Sequence, residues 1–145
     1  MEAKKARKKI AILLLCLLTL CIQSQCSPKS QIIQEEEEAV LKKRVQEFWS
    51  YRIKGEWDKC YAYESPDFKA KVNLVRYITQ YSRNPVKWEE FEIQEIWTNG
   101  NEGNVKVNGK YRYMIPDTKK GVFARVTEEK WVKKEGHWYR NSPMI

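Results

Sequence analysis

Histidine occurs once in the 145 residues, at His137, with no cysteine or carboxylate at metal-ligand spacing from it. That scarcity excludes a zinc site of the usual pattern and a paired-histidine catalyst. Cysteine is also scarce. Of four, Cys16, Cys21 and Cys26 precede Ser27, and only Cys60 comes after it. One thiol closes no internal disulfide, so the folded body must stand on its hydrophobic core. No Gly-rich phosphate loop and no nucleophile elbow occurs. The length excludes an ordinary two-domain enzyme. Nor is there a basic stripe. The net charge is +8, but Lys4, Lys5, Arg7, Lys8 and Lys9 are met before position 10 by Glu2 alone. They supply half of the excess. After Ser27 bases and acids interleave, which argues against nucleic acid as a partner.

The basic start leads into an apolar run, Ile10 to Ile22. It is shorter than the roughly 18–20 residues of a spanning helix and fits the roughly 7–15-residue core of an export signal. The expected organisation is a signal segment at 1–22, a tether with an acidic run at 23–39, and one domain at 40–142. Leu18-Thr19-Leu20-Cys21 resembles a bacterial lipoprotein leader, in which the closing cysteine is acylated. The residue before that cysteine is normally small, and here it is Leu20. Cys26 is the alternative lipidation site. A plain secretory cut after Cys26 and an uncleaved anchor are further readings. Each places the chain outside the cytoplasm, periplasmic or held to a membrane surface by its N-terminus.

Periodicity then organises the body. Leu41, Val45, Phe48 and Trp49 fall at helical spacing, and Gly55 suits the end of that helix. A short helix from Glu56 comes next. Ser65-Pro66 and Asn73 read as caps of two more. After Pro85 the pattern alternates. Val105, Val107, Gly109, Tyr111, Tyr113 and Ile115 share one parity, with Lys106, Lys110 and Arg112 on the other. Phe91, Ile93 and Trp97 alternate in an earlier strand. Residues 121–133 make a third, apolar on both parities, so its inner face is unassigned. His137 begins a fourth. Asn99 to Gly103, Pro116-Asp117 and Glu135-Gly136 supply the turns. Helices first and antiparallel strands after predict an α+β fold.

Phe48-Trp49-x-x-Arg52-x-x-Gly55-Glu56-Trp57, with Tyr61 and Ser65-Pro66, resembles the opening of nuclear transport factor two-like (SnoaL-like, ketosteroid-isomerase-like) proteins. Glu129 to Tyr139 resembles their last hairpin. The resemblance spans roughly 38–142 and belongs to the small exported lipoprotein type. It implies a cone, with N-terminal helices packed in the concavity of a strongly curved antiparallel sheet and a pocket at the open end. It also implies a homodimer through the outer sheet face. Members include ketosteroid isomerase and scytalone dehydratase, but their catalytic residues do not carry over. Asp58, Asp67 and Asp117 sit in a helix start, a short helix and a turn, and there is one histidine.

All 18 aromatic residues lie between Phe48 and Tyr139. Tyr63, Trp88, Tyr111, Tyr113 and Trp131 are the candidate pocket residues, and simple core filling is the alternative. Arg52 and Arg76 are candidates to hold an anion, to pair with Glu90 or Glu92, or to lie on a solvated face. The expected function is a non-enzymatic envelope protein, without cofactor or metal, binding a small apolar ligand or a protein partner. The alternative is an isomerase- or dehydratase-like enzyme. It requires an inward carboxylate, from Glu90, Glu92 or Glu129, within reach of Tyr111 or Tyr113.

Overall fold

A computed structural model of the chain describes residues 28–114 and 121–143. The chain divides into two units, Met1–Gln31 and Ile32–Ile145. The elements belong to the second unit, apart from the opening turn of one helix. The expected signal segment, Cys21, Cys26, Ile115 and Pro116-Asp117 lie outside the described residues.

Helix α1 runs Pro28–Lys54. From Lys29 to Lys54 it holds no glycine or proline and is rich in Gln, Glu, Lys and Arg, which favour helix. The acidic run Glu35 to Glu38 is therefore helical rather than part of a loose tether, and Gln34 donates to Glu38 one turn on at 3.1 Å. One face of α1 is buried at Leu41, Val45, Phe48 and Trp49. Charged residues bracket this stripe and tie it to the sheet. Glu37 accepts from Lys133 Nζ at 2.6 Å and Trp138 Nε1 at 3.1 Å. At the other end Arg52 Nη1 lies 3.7 Å from Glu129.

Gly55, at φ 71°, stops α1 in a backbone conformation that costs a side-chain-bearing residue about 1–2 kcal/mol. Three short helices come after it: α2 (Trp57–Ala62), α3 (Pro66–Lys69) and α4 (Leu74–Ser82). Both caps expected from the sequence form. Ser65 Oγ accepts from Phe68 N at 3.3 Å, and Asn73 Oδ1 from Arg76 N at 2.9 Å.

The strands are β1 (Val86–Asn99), β2 (Glu102–Tyr113), β3 (Phe123–Lys134) and β4 (His137–Arg140). They pair antiparallel in chain order, so the chain is α+β with helices N-terminal to an open four-stranded sheet. In β1 the parity flips twice. Register shifts fall between Trp88 and Glu90 and between Ile93 and Glu95. Each inserts one residue and moves everything beyond it to the opposite face. Trp88, then Phe91 and Ile93, then Ile96 and Thr98 therefore face inward, and Trp97 is left 48 % exposed. The single alternation of Phe91, Ile93 and Trp97 thus fails at the second bulge. In β3 the inner parity is that of Thr127, Glu129 and Trp131, while Val122 and Val126 face solvent.

Two glycines form the floor on which α1 rests. A Cβ on Gly103 would lie 2.6 Å from the Leu41 side chain, and one on Gly109 would overlap the Trp88 ring and sit 3.2 Å from Trp49. Gly109 thus clears space for two indoles, packed edge to face at 5.0 Å. Gly109→Ala should destabilise by about 1–3 kcal/mol through overpacking, read as a lower urea midpoint.

A second expectation concerns acid. Lys133's hydrogen bond, aided by that of Trp138 and opposed by burial, holds the Glu37 carboxyl below its ordinary value. A carboxyl depressed in the folded state stabilises above its unfolded pKa and loses that contribution as pH falls through the folded value. Glu37→Gln should therefore lower the urea midpoint at pH 7, and the deficit against wild type should shrink toward pH 3.

Candidate functional site

Where the link between α2 and α3 meets the middle of β3 and the end of β4, four charged side chains come together inside the protein. Glu64 and Glu129 are 0 % and 3 % exposed. Arg140 bridges them, donating through Nη1 to Glu64 Oε1 at 3.1 Å and through Nε to Glu129 Oε1 at 3.3 Å. Glu64 also accepts from Tyr77 Oη at 3.1 Å and Ser142 Oγ at 2.6 Å, and Arg140 Nη1 reaches the same Ser142 hydroxyl. Glu129 Oε2 accepts from Trp131 Nε1 at 3.3 Å. Backbone bonds lock this arrangement: Arg140 N donates to Tyr63 O at 2.7 Å, and Ser65 N to Arg140 O at 3.0 Å.

The two arginines are served unequally. Burial pulls Arg140 down, but Glu129 and then Glu64 outweigh it and hold the guanidinium above its ordinary pKa. Burial holds Arg52 below its ordinary value; Arg140's charge adds to this, and Glu129 only partly offsets it. Arg52 Nη1 is buried and, among the described residues, makes no hydrogen bond, and the same holds for Trp49 Nε1. The Arg52 guanidinium instead lies over the Trp49 and Trp88 rings, 4.5 and 4.8 Å from their centroids.

Arg52 also lines a groove of about 220 Å³ where α1 ends. Its walls come from the α1–α2 turn, the end of α4 and the start of β1. Trp57 and Tyr81, stacked at 5.4 Å, form one side, and Trp88 lies in another. Lys54 and Lys87 stand exposed among the lining residues.

The five pocket candidates do not converge. Tyr63 is a core residue donating to Glu47 at 2.9 Å, and burial, with that bond, pushes its pKa up to about 12. Trp131 is buried edge-on to Phe48 at 6.0 Å. Tyr111 packs on Trp88 at 5.3 Å and Tyr113 on Tyr111 at 5.6 Å, with Phe123 completing an aromatic patch at that end of the sheet. Tyr113 is 42 % exposed rather than enclosed. Of the five, only Trp88 lines the groove. His137 is exposed in its hairpin.

Arg52 pairs with Glu129, not with Glu90 or Glu92. Those two are exposed, and Glu90 takes Lys110 at 2.6 Å. Glu129 does point inward, but its β2 partner is Val105, six residues from Tyr111. That is about 20 Å along the strand, far outside the reach the enzyme alternative requires. The outer sheet face carries cross-strand ion pairs of Glu89, Glu90 and Glu95 with Arg112, Lys110 and Lys106. Among the described residues no helix is long and apolar enough to cross a membrane, and no group of three or more His, Cys, Asp or Glu is placed to hold a metal.

Glu64 had no sequence signal as a site residue, since it sits in a short link between helices. Arg140 had none either. Removing one member of a buried pair costs about 3–5 kcal/mol. Glu129→Gln should do so in urea unfolding, whereas Glu90→Gln, on the surface, should leave the midpoint unmoved.

No family model matches the chain, and no curated protein matches it. Among solved structures it is similar to a SEC-C motif containing protein from Rhodopseudomonas palustris, known in solution. The match has a TM-score of 0.52 and 11 % identity, and covers 67 % of this chain and 72 % of that one. At that identity the likeness is one of fold. It overturns the resemblance to the nuclear transport factor two-like cone, and with it the SnoaL-like and lipoprotein-type assignment. The residues behind that resemblance misled for a physical reason. Phe48, Trp49, Trp131 and Trp138 are buried, and Trp57 and Tyr61 pack against the same core, so they report helix-on-sheet packing rather than descent.

Proposed function

We propose that this chain is a non-catalytic binding module that takes a small, planar, largely apolar ligand in the groove at the end of α1. The observation that carries this reading is the contrast between that groove and the rest of the inner face. Over most of its length the sheet is covered by α1, and the interval is filled by Leu41, Val45, Phe48, Trp49 and Trp131. At Gly55 the helix stops, and Trp57, Tyr81 and Trp88 line an opening there. Aromatic walls with a few polar groups are the usual composition of a ligand site. At about 220 Å³ the groove is below the roughly 300–1,000 Å³ of common ligand pockets. The ligand it favours is correspondingly small, of single-ring or fused-ring size.

The absence of an acid–tyrosine pair near Tyr111 supports binding over catalysis. The buried carboxylates are already occupied by arginines, two hydroxyls and an indole N–H.

The test is an ¹⁵N–¹H titration of the protein with indole, phenol and benzoate. Saturable shifts should map to Trp57, Tyr81 and Trp88, and Trp57→Ala, titrated below its own lowered melt, should weaken binding at least tenfold. Shifts confined to Tyr111, Tyr113 and Phe123 would move recognition to the exposed aromatic patch and reject the groove.

A further inference from the structure

We infer that the ligand of this groove is an organic anion, its negative group directed toward Arg52 and its body laid along Trp57, Tyr81 and Trp88. The inference rests on the reading of the groove as a binding site and adds the charge of what it binds.

The walls give the first argument. Of the twelve lining residues, Arg52, Lys54 and Lys87 are cationic and none is acidic. Lys54 and Lys87 enter no ion pair among the described residues, unlike Lys59, Lys106, Lys110, Lys133 and Lys134. Two unneutralised ammonium groups over a low-dielectric aromatic wall concentrate positive potential at the mouth. Asn84 spends its carbonyl oxygen on Val86 N at 3.0 Å, which leaves its amide nitrogen as a donor. The neutral part of the rim thus adds to the preference for an acceptor.

The second argument is Arg52 itself. Its guanidinium is held over two indole rings, which fixes its plane and directs its N–H groups to acceptors lying in that plane. Its nearest carboxylate, Glu129, is at 3.7 Å and is also claimed by Arg140 at 3.3 Å. Arg140 has two carboxylates and a hydroxyl; Arg52 has a share of one carboxylate. Burial without full compensation is the condition that holds Arg52 below its ordinary pKa, and a second anion nearby relieves it.

Benzoate and benzamide share a body and differ in charge, so they test the inference against the full-length chain. Benzoate should shift the Trp57 indole N–H and the Arg52 Nε–H saturably, with a dissociation constant at least tenfold below that of benzamide. The double variant Lys54→Glu/Lys87→Glu changes two exposed side chains and is checked for the wild-type spectrum before titration. It should shrink that ratio to threefold or less while leaving benzamide binding in place. Equal affinities in wild type would keep the groove as a binding site and overturn its preference for anions. A benzoate preference untouched by the double variant would assign it to Arg52 alone and overturn the part given to the two lysines. No saturable shift from either compound would reject the groove as a site, and the inference with it.

Discussion

The carboxylate of Glu129 ties the helices to the sheet from inside the protein. It reaches Arg52 near the end of α1, Arg140 on β4 and, through Arg140, Glu64 in the helical layer. A charge this deep is a poor source of net stability, because the cost of removing it from water nearly cancels its attraction for its partners. What it supplies is uniqueness. If β3 slipped by one residue, Glu129 would face solvent and Glu128 would enter. Both arginines would then lose their counter-charge, and Trp131 would leave the core. The apolar residues do not enforce this register alone, because β3 and the residue before it carry valines at 122, 126 and 132 on the other parity.

That ambiguity explains what was legible. The helix stripe from Leu41 to Trp49, the caps at Ser65 and Asn73, the turn at Glu135-Gly136 and the inner parity of β2 each obey local rules. Local rules decide them because one short stretch contains all the information. The inner face of β3 was not legible, since both parities are apolar and the deciding residue is a glutamate, which a hydrophobic pattern assigns to solvent. The signal that would have found it is Trp131 two residues on. Trp131 is 2 % exposed and carries Glu129 inward with it, whereas Trp97 on β1 is 48 % exposed.

The bulges in β1 made a different kind of obstacle. A period-2 reading assumes an unbroken ladder, and each inserted residue inverts it. The sequence around them, Trp88-Glu89-Glu90-Phe91 and Ile93-Gln94-Glu95-Ile96, shows the mark in retrospect: two polar residues in succession between inward apolar ones. Only pairing against β2 distinguishes this from a polar surface strand. The family resemblance failed at the same level. Aromatics spaced to fill a helix-on-sheet core recur wherever such a core is built, so their spacing carries architecture and little ancestry.

The placement of the groove derives from the same packing. Gly109 and Gly103 let α1 lie close on β2. The groove opens where the helix stops, and the stop is fixed by Gly55. Arg52 lies three residues before that stop, one turn beyond Trp49, so it is the last side chain of the buried stripe and the first at the opening. Its position makes it serve two environments: Glu129 behind it and the groove in front. The charge network cannot satisfy it fully, because Glu129 must also serve Arg140. A guanidinium caught between a shared carboxylate and an opening lined by two lysines leaves the positive potential on the groove side. The buried architecture thereby sets the sign of what the surface favours.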